Sequence, residues 1–240
     1  LGTGALMLLV ESEGGWPELT PVLVGLGAAA IALFLLVERR ASNPLIPLGS
    51  MTDRYTGTAM AVNLVGGLVF FGTVSVMPAV LQWGLGFDPT TSGLIIVSGT
   101  LGWVVAANIA SRLVVNHEVA GIIRLGVSLL AGSMALLSLA ALQGGLVLIV
   151  PALLMLGFGM GMVVPPTLIA TQTLAGRETL GIVTSMLAFM RVLGGSIGSQ
   201  LMWFPISASL SAPSTGPSPL APAIGSFGLG LAVVIPVLLL

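Results

Sequence analysis

The chain has 240 residues, of which 56% are hydrophobic and only 6% charged, with a formal net charge of −1 and a mean hydropathy of +1.13. Soluble domains carry about 25% charged residues, so an ordinary soluble core is excluded and an all-α, polytopic membrane helix bundle is expected. There is no cysteine and all seven cations are arginine, which excludes disulfides, thiolate metal sites and Schiff-base chemistry on lysine; nothing in the charge suggests nucleic acid.

The first stretch, Leu1 to Val10, is apolar but too short to span a bilayer, which takes about 20 residues. It reads as the tail of a truncated helix, and no basic residue precedes it as a signal peptide would require. A polar loop, Glu11 to Glu18, leads to a full apolar span from Leu19 to Val37, stopped by Glu38-Arg39-Arg40. The connector Ala41 to Tyr55 contains Asn43-Pro44 and Pro47, which break any helix. Six further spans are expected near 56–81, 90–111, 120–142, 145–171, 180–204 and 219–240. The links are short except Pro205 to Pro219, rich in Ser and Pro. Both ends of the chain lie in apolar runs, so a fragment of a longer polypeptide is expected.

The charges assign sides. With Glu38-Arg39-Arg40 inside the cell, successive spans place Arg39, Arg40, Arg54, Arg112, Arg124 and Arg177 inside. The outside holds Glu11, Glu13, Glu18 and Asp88 and no arginine. That asymmetry is the positive-inside pattern, and one missed or false span would scramble it.

The six spans divide into two groups of three. A shift of 88 positions lays Pro78 on Pro166, Thr91 on Thr179 and Gly93 on Gly181. An odd number of spans per group makes the two copies inverted, the construction of many secondary transporters.

Arg191 is the one charge that must sit deep in an apolar span. On a helix it shares a face with Thr184, Ala188, Gly195 and Gly198, a face of small residues that packs on other helices rather than on lipid. An intramembrane arginine is a functional-site candidate; the competing reading is a packing role in which it bonds helix carbonyls. No Asp or Glu falls inside the six spans, so its partner is not visible. Asn63 and Gln172 are amides at membrane depth. They suit a pocket that orients a ligand, or equally interhelical hydrogen bonding. Gln82, Gln200 and Asn108 lie toward the span ends, where solvation accounts for them. His117 is the sole histidine, in an inside loop, and reads as an exposed polar residue.

Gly157, Gly159 and Gly161 superficially resemble a dinucleotide fingerprint, but they lie inside an apolar span rather than a strand-to-helix turn. Gly157 with Gly161, and Gly194 with Gly198, have the spacing that lets two helices approach closely. Pro165-Pro166 are expected to bend or break their helix near its inner end and to offer a hinge. No nucleophile–base pair or carboxylate pair stands at a depth that would suggest an enzyme, and neither cofactor nor metal is expected.

Several of these stretches resemble one family, the major facilitator superfamily, in its fourteen-helix drug:proton antiporter branch. They are Glu38-Arg39-Arg40 followed by Asn43-Pro44-Leu45-Ile46-Pro47-Leu48; Met77-Pro78 with Leu81-Gln82; Gly86-Phe87-Asp88-Pro89 with Ser92-Gly93; Gly157-Phe158-Gly159-Met160-Gly161; and Arg191-Val192-Leu193-Gly194-Gly195-Ser196-Ile197-Gly198. The last is similar to the family's Arg-x-Leu-Gly-Gly-x-Ile-Gly. One loop departs: Ser111-Arg112-Leu113-Val114-Val115-Asn116-His117-Glu118 keeps the Arg-Leu of the family's Gly-Arg-Leu-x-x-Arg-x-Gly but not its second Arg or its final Gly.

The resemblance implies that residues 1–37 are the branch's inserted helices, 38–55 a cytoplasmic connector, and 56–240 the carboxy-terminal six-helix half of a transporter. The amino-terminal half, with the coupling carboxylates, would be the missing partner. It implies a multi-pass protein of a bacterial inner membrane that exports amphipathic small molecules against protons. Arg191, with Asn63 and Gln172, would serve binding or coupling; Gly157, Gly161, Gly194, Gly195 and Gly198 would serve packing, with Pro165 and Pro166 as hinge. Two alternatives stay open: a transporter of one anionic metabolite that Arg191 contacts, and a membrane scaffold subunit that transports nothing.

Overall fold

A computed structural model describes residues 54–143, 146–175, 179–210 and 221–238. The expected first spans, 1–10 and 19–37, most of the connector, and Arg177 lie outside the described residues. From Arg54 onward the chain forms one compact unit, whose described residues make six α-helices. They are α1 (Arg54–Ala79), α2 (Pro89–Leu113), α3 (Val119–Gln143), α4 (Leu146–Leu174), α5 (Leu180–Leu210) and α6 (Ala221–Leu238).

The first five are long and apolar enough to cross a membrane, so the protein is a multi-pass membrane helix bundle. In hydrocarbon the helix is forced, because every backbone donor and acceptor must be satisfied within the segment. At 18 residues α6 falls just short of the roughly 20 a bilayer needs. The span expected at 219–240 runs past both of its ends, onto residues outside those described.

Local chemistry sets the turn at the C-terminal end of α1. Pro78 sits inside the helix and removes the N–H that would reach the Val74 carbonyl. The helix then widens into a π turn, Val80–Gly84. Gly86 closes the turn at φ 72°, the left-handed region open to glycine at no steric cost. Two hydrogen bonds hold it there, Gly86 N to Gln82 O (3.2 Å) and Phe87 N to Leu81 O (3.0 Å). Asp88 then caps α2 by accepting from the Thr91 N–H, with Pro89 in the first turn, where a missing donor costs nothing.

Helix pairing crosses between the two triples. α1 packs most extensively on α5, and α2 on α4, so the first helix of each triple lies against the second helix of the other. That exchange is what two inverted copies would make of one packing solution. The matched positions agree with it: Pro78 and Pro166 both lie within the first helix of a triple, and Thr91 and Thr179 both stand at the start of the second. α3 and α6 pack on each other outside this crossed set, and α3 also lies along α4.

The core between them is rich in thioethers. Met77, Met134, Met160 and Met202 are fully buried with Leu81, Leu130, Leu137 and Phe227. Unbranched methionine fills the irregular spaces that crossing helices leave.

Two helix ends expected at prolines are corrected. α4 runs unbroken from Leu146 to Leu174 through Pro151, Pro165 and Pro166, so of the bend or break expected at the proline pair the break is absent. α5 continues through Pro205 to Leu210 instead of ending at 204. In both cases a freed carbonyl costs less than parting the helix from its packed neighbours. Beside the Pro165-Pro166 pair the hydroxyl of Thr167 donates back to the carbonyls of Val163 (2.8 Å) and Val164 (3.0 Å); the carbonyls that the two prolines free are those of Gly161 and Met162.

Candidate functional site

Close helix contact builds the site. A Cβ at Gly67 on α1 would overlap the carbonyl of Arg191, and one at Gly194 on α5 would overlap that of Leu64. One at Gly198 would strike the Leu68 carbonyl, and one at Gly195 would come within 2.8 Å of the Phe71 ring. The two backbones therefore touch along the Gly-Gly-x-x-Gly stripe of α5. The second crossed pair is held in the same way. A Cβ at Gly157 would overlap the Gly99 carbonyl, and one at Gly161 would lie 2.6 Å from the carbonyl of Trp103. Such approach maximises dispersion and backbone dipole contact where no hydrophobic force operates between helices.

This geometry brings Arg191 to Asn63. Asn63 is 1% exposed and its amide is fully used. Its Nδ2 donates to the Ala59 carbonyl and to Thr167 Oγ1, each at 2.9 Å. Its Oδ1 accepts from Arg191 Nη1 at 3.4 Å. The amide orientation follows from chemistry: a guanidinium has donors only, so only the oxygen can face it. At 3.4 Å the arginine contact is long for a charge-assisted bond, which usually measures about 2.7–2.9 Å. The firm part of the network is Asn63–Thr167, and the arginine leans on it from a half-buried position.

Gln172 makes a second polar contact between α4 and α5. Its Nε2 donates to Thr184 Oγ1 at 3.0 Å, and Thr184 in turn donates to the Leu180 carbonyl at 2.8 Å. Thr184 precedes Arg191 by two helical turns on one face. One face of α5 thus meets Asn63 of α1 through Arg191 and Gln172 of α4 through Thr184. The three expected polar residues lie on the three helices that share this seam.

Thr167 is the member that sequence reasoning missed. It is 1% exposed and joins α4 to α1 through Asn63. A threonine that bonds its own helix carbonyls gives no periodic signal; its place beside Pro165-Pro166 was the one available hint.

The remaining amides and the histidine sit at the margins. Asn108 is exposed and donates to the carbonyl of Val104 at 2.8 Å. His117 is exposed in the α2–α3 loop. Among the described residues no three of His, Cys, Asp and Glu gather as a metal site. Arg112 and Arg124 lie at the same end of the bundle, and Asp88 with exposed Trp83 lies at the other, as the charge asymmetry requires. Trp83 and Trp203 stand 6.1 Å apart there, in the manner of interfacial aromatic pairs.

Residues 1–199 match the family model of the Major Facilitator Superfamily. Three curated relatives are similar over most of the chain. The multidrug transporter protein MdtP of Bacillus subtilis is 28% identical across 82% of this chain and 37% of its own length. A tetracycline resistance determinant of Streptomyces rimosus is 31% identical across 85% of this chain and 62% of its own. The puromycin resistance protein pur8 of Streptomyces alboniger is 30% identical across 84% of this chain and 42% of its own. The chain thus spans between 37% and 62% of the length of these relatives.

Proposed function

The chain belongs to the major facilitator superfamily of membrane transporters, and from that premise we propose that it forms the carboxy-terminal half of a proton-coupled exporter of amphipathic small molecules. The observation that carries the reading is the seam just described, an intramembrane arginine held against a buried amide where three helices meet. Relatives named for multidrug transport and for tetracycline and puromycin resistance support the substrate class. Their bacterial sources support a bacterial cell membrane as the location.

The mechanism proposed is alternating access, two halves rocking about a central cavity. In that scheme Arg191, Asn63 and Gln172 face substrate or the coupling network, and the α4 segment at Pro165-Pro166 absorbs the motion. The spans of residues 56–240 contain no Asp or Glu, so the proton-carrying carboxylates would come from another half. The exposed apolar faces of α2 and α5, with Leu94, Leu101, Val105, Val192 and Ile197, offer that half a surface to pack on. Sequencing the gene upstream of Leu1 is expected to show six more apolar spans with at least one membrane carboxylate. A start codon immediately before Leu1 would remove this arrangement and favour a scaffold or two-subunit protein.

The functional test is efflux of a lipophilic cationic dye from proteoliposomes holding the full-length protein, with and without a pH gradient. Gradient-driven export supports the reading, and dye movement indifferent to the gradient sinks it. A second reading, transport of one anionic metabolite, is favoured by the long Arg191–Asn63 contact, which leaves most of the five guanidinium donors to face a ligand. Inhibition by organic anions, with none by lipophilic cations, would select it.

A further inference from the structure

At the end of the bundle where the arginines gather, α1, α3, α4 and α6 enclose a cavity of about 520 Å³, within the range of small-molecule sites. Arg191 does not line it, though Ala59 and Thr167, which bond Asn63, do. Its wall is mainly apolar, with Ile123, Val127 and Val237, while Tyr55, Glu118 and Arg124 also line it. All three of these are exposed, Tyr55 to 72%.

An apolar slot with opposite charges at its lining, at the depth of the inner membrane interface, matches one kind of ligand. We propose that this cavity holds a phospholipid of the inner leaflet whose headgroup carries both an ammonium and a phosphate. The phosphate pairs with Arg124, which supplies planar donors suited to it. The ammonium pairs with Glu118, and an acyl chain lies along the apolar wall at Ile123, Val127 and Val237. Tyr55 lines the cavity at the same end of the bundle, where interfacial tyrosines anchor. A purely anionic lipid would satisfy Arg124 and be repelled by Glu118, so the pair of charges selects the zwitterion. Thr167 lines the same cavity while bonding Asn63, so the bound lipid touches the residue that braces the arginine contact. The proposal does not rest on the transport reading.

The test presents the full chain in detergent with equal amounts of phosphatidylethanolamine and phosphatidylglycerol, bound lipid being counted by native mass spectrometry. The wild type is expected to retain phosphatidylethanolamine preferentially. Glu118→Gln should erase that preference, and Arg124→Gln should lower retention of both lipids by about fivefold, the factor one cationic side chain near a lipid surface supplies. Both side chains are exposed, so these variants fold. Ile123→Trp, which narrows the slot and leaves both charges, should lower retention as well. Equal retention of the two lipids by the wild type, or a preference that survives Glu118→Gln, overturns the proposal. So does displacement of the lipid by free phosphoethanolamine, which would make the ligand a soluble amino-phosphate.

Discussion

Asn63 and Thr167 share a buried hydrogen bond of 2.9 Å across 104 residues of sequence. It joins the first helices of the two triples, α1 and α4, near the Arg191 seam. Each partner also bonds its own helix, Asn63 to Ala59 O and Thr167 to Val163 O. Neither can turn away without leaving a polar group unpaired in an apolar core, and that cost fixes the orientation of the amide oxygen toward Arg191.

A double-mutant cycle measures this bond. Asn63→Ala and Thr167→Val should each destabilise the folded bundle, and their effects should be non-additive by about 0.6–1.7 kcal/mol, the range for interhelical bonds in membranes. Thermal or denaturant unfolding in detergent would report it. Strict additivity would mean the two side chains do not interact.

Arg191→Ala should bring transport by the full-length protein to background while leaving membrane insertion unchanged. Arg191→Lys should recover only part of the activity, because an ammonium lacks the planar fork that addresses an amide and a ligand together. Dye efflux alongside a surface-expression measurement separates the two effects. Wild-type efflux by Arg191→Ala would take the residue out of the mechanism.

The glycine seams should be intolerant of any side chain. Gly194→Ala and Gly157→Ala each place a methyl group into a facing backbone carbonyl, so the helices must part, at a cost of about 1–3 kcal/mol. Gly121→Ala, where nothing lies within 4 Å, should be neutral or slightly stabilising through helix propensity. Melting temperatures of the three variants decide the matter, and equal temperatures would show that the seams are loose.

Asp88 should make the outer end of α2 sensitive to acid. The Thr91 hydroxyl and then the Thr91 N–H donate to its carboxylate and hold its pKa below the usual 3.8. A carboxylate depressed on folding stabilises fully above its unfolded pKa and loses that contribution as pH falls through the folded value. Asp88→Ala should therefore lower the melting temperature at pH 7, and the gap from wild type should close below about pH 3.8. A gap that does not narrow at all as the pH falls below 3.8 would rule out the carboxylate as the cap.

Sequence alone determined what is local. Hydropathy marked the six helices, since a segment in hydrocarbon must satisfy its own backbone. Arginine placement gave an expected orientation, and the small residues beside Arg191 showed which face of α5 turns inward. It also singled out Asn63, a polar group buried well inside α1, and Gln172, which the structure places in the last turn of α4. Only the tertiary structure decided who meets whom. That α1 lies on α5 and α2 on α4, that Asn63 takes Thr167 and Gln172 takes Thr184, depends on helices distant in the chain. A threonine that bonds its own carbonyl looks the same in every apolar helix, so no period announces its second partner. The prolines of α4 and α5 teach the same lesson. Taken singly each is a helix breaker; packed neighbours keep the helix whole, and those are supplied by the fold.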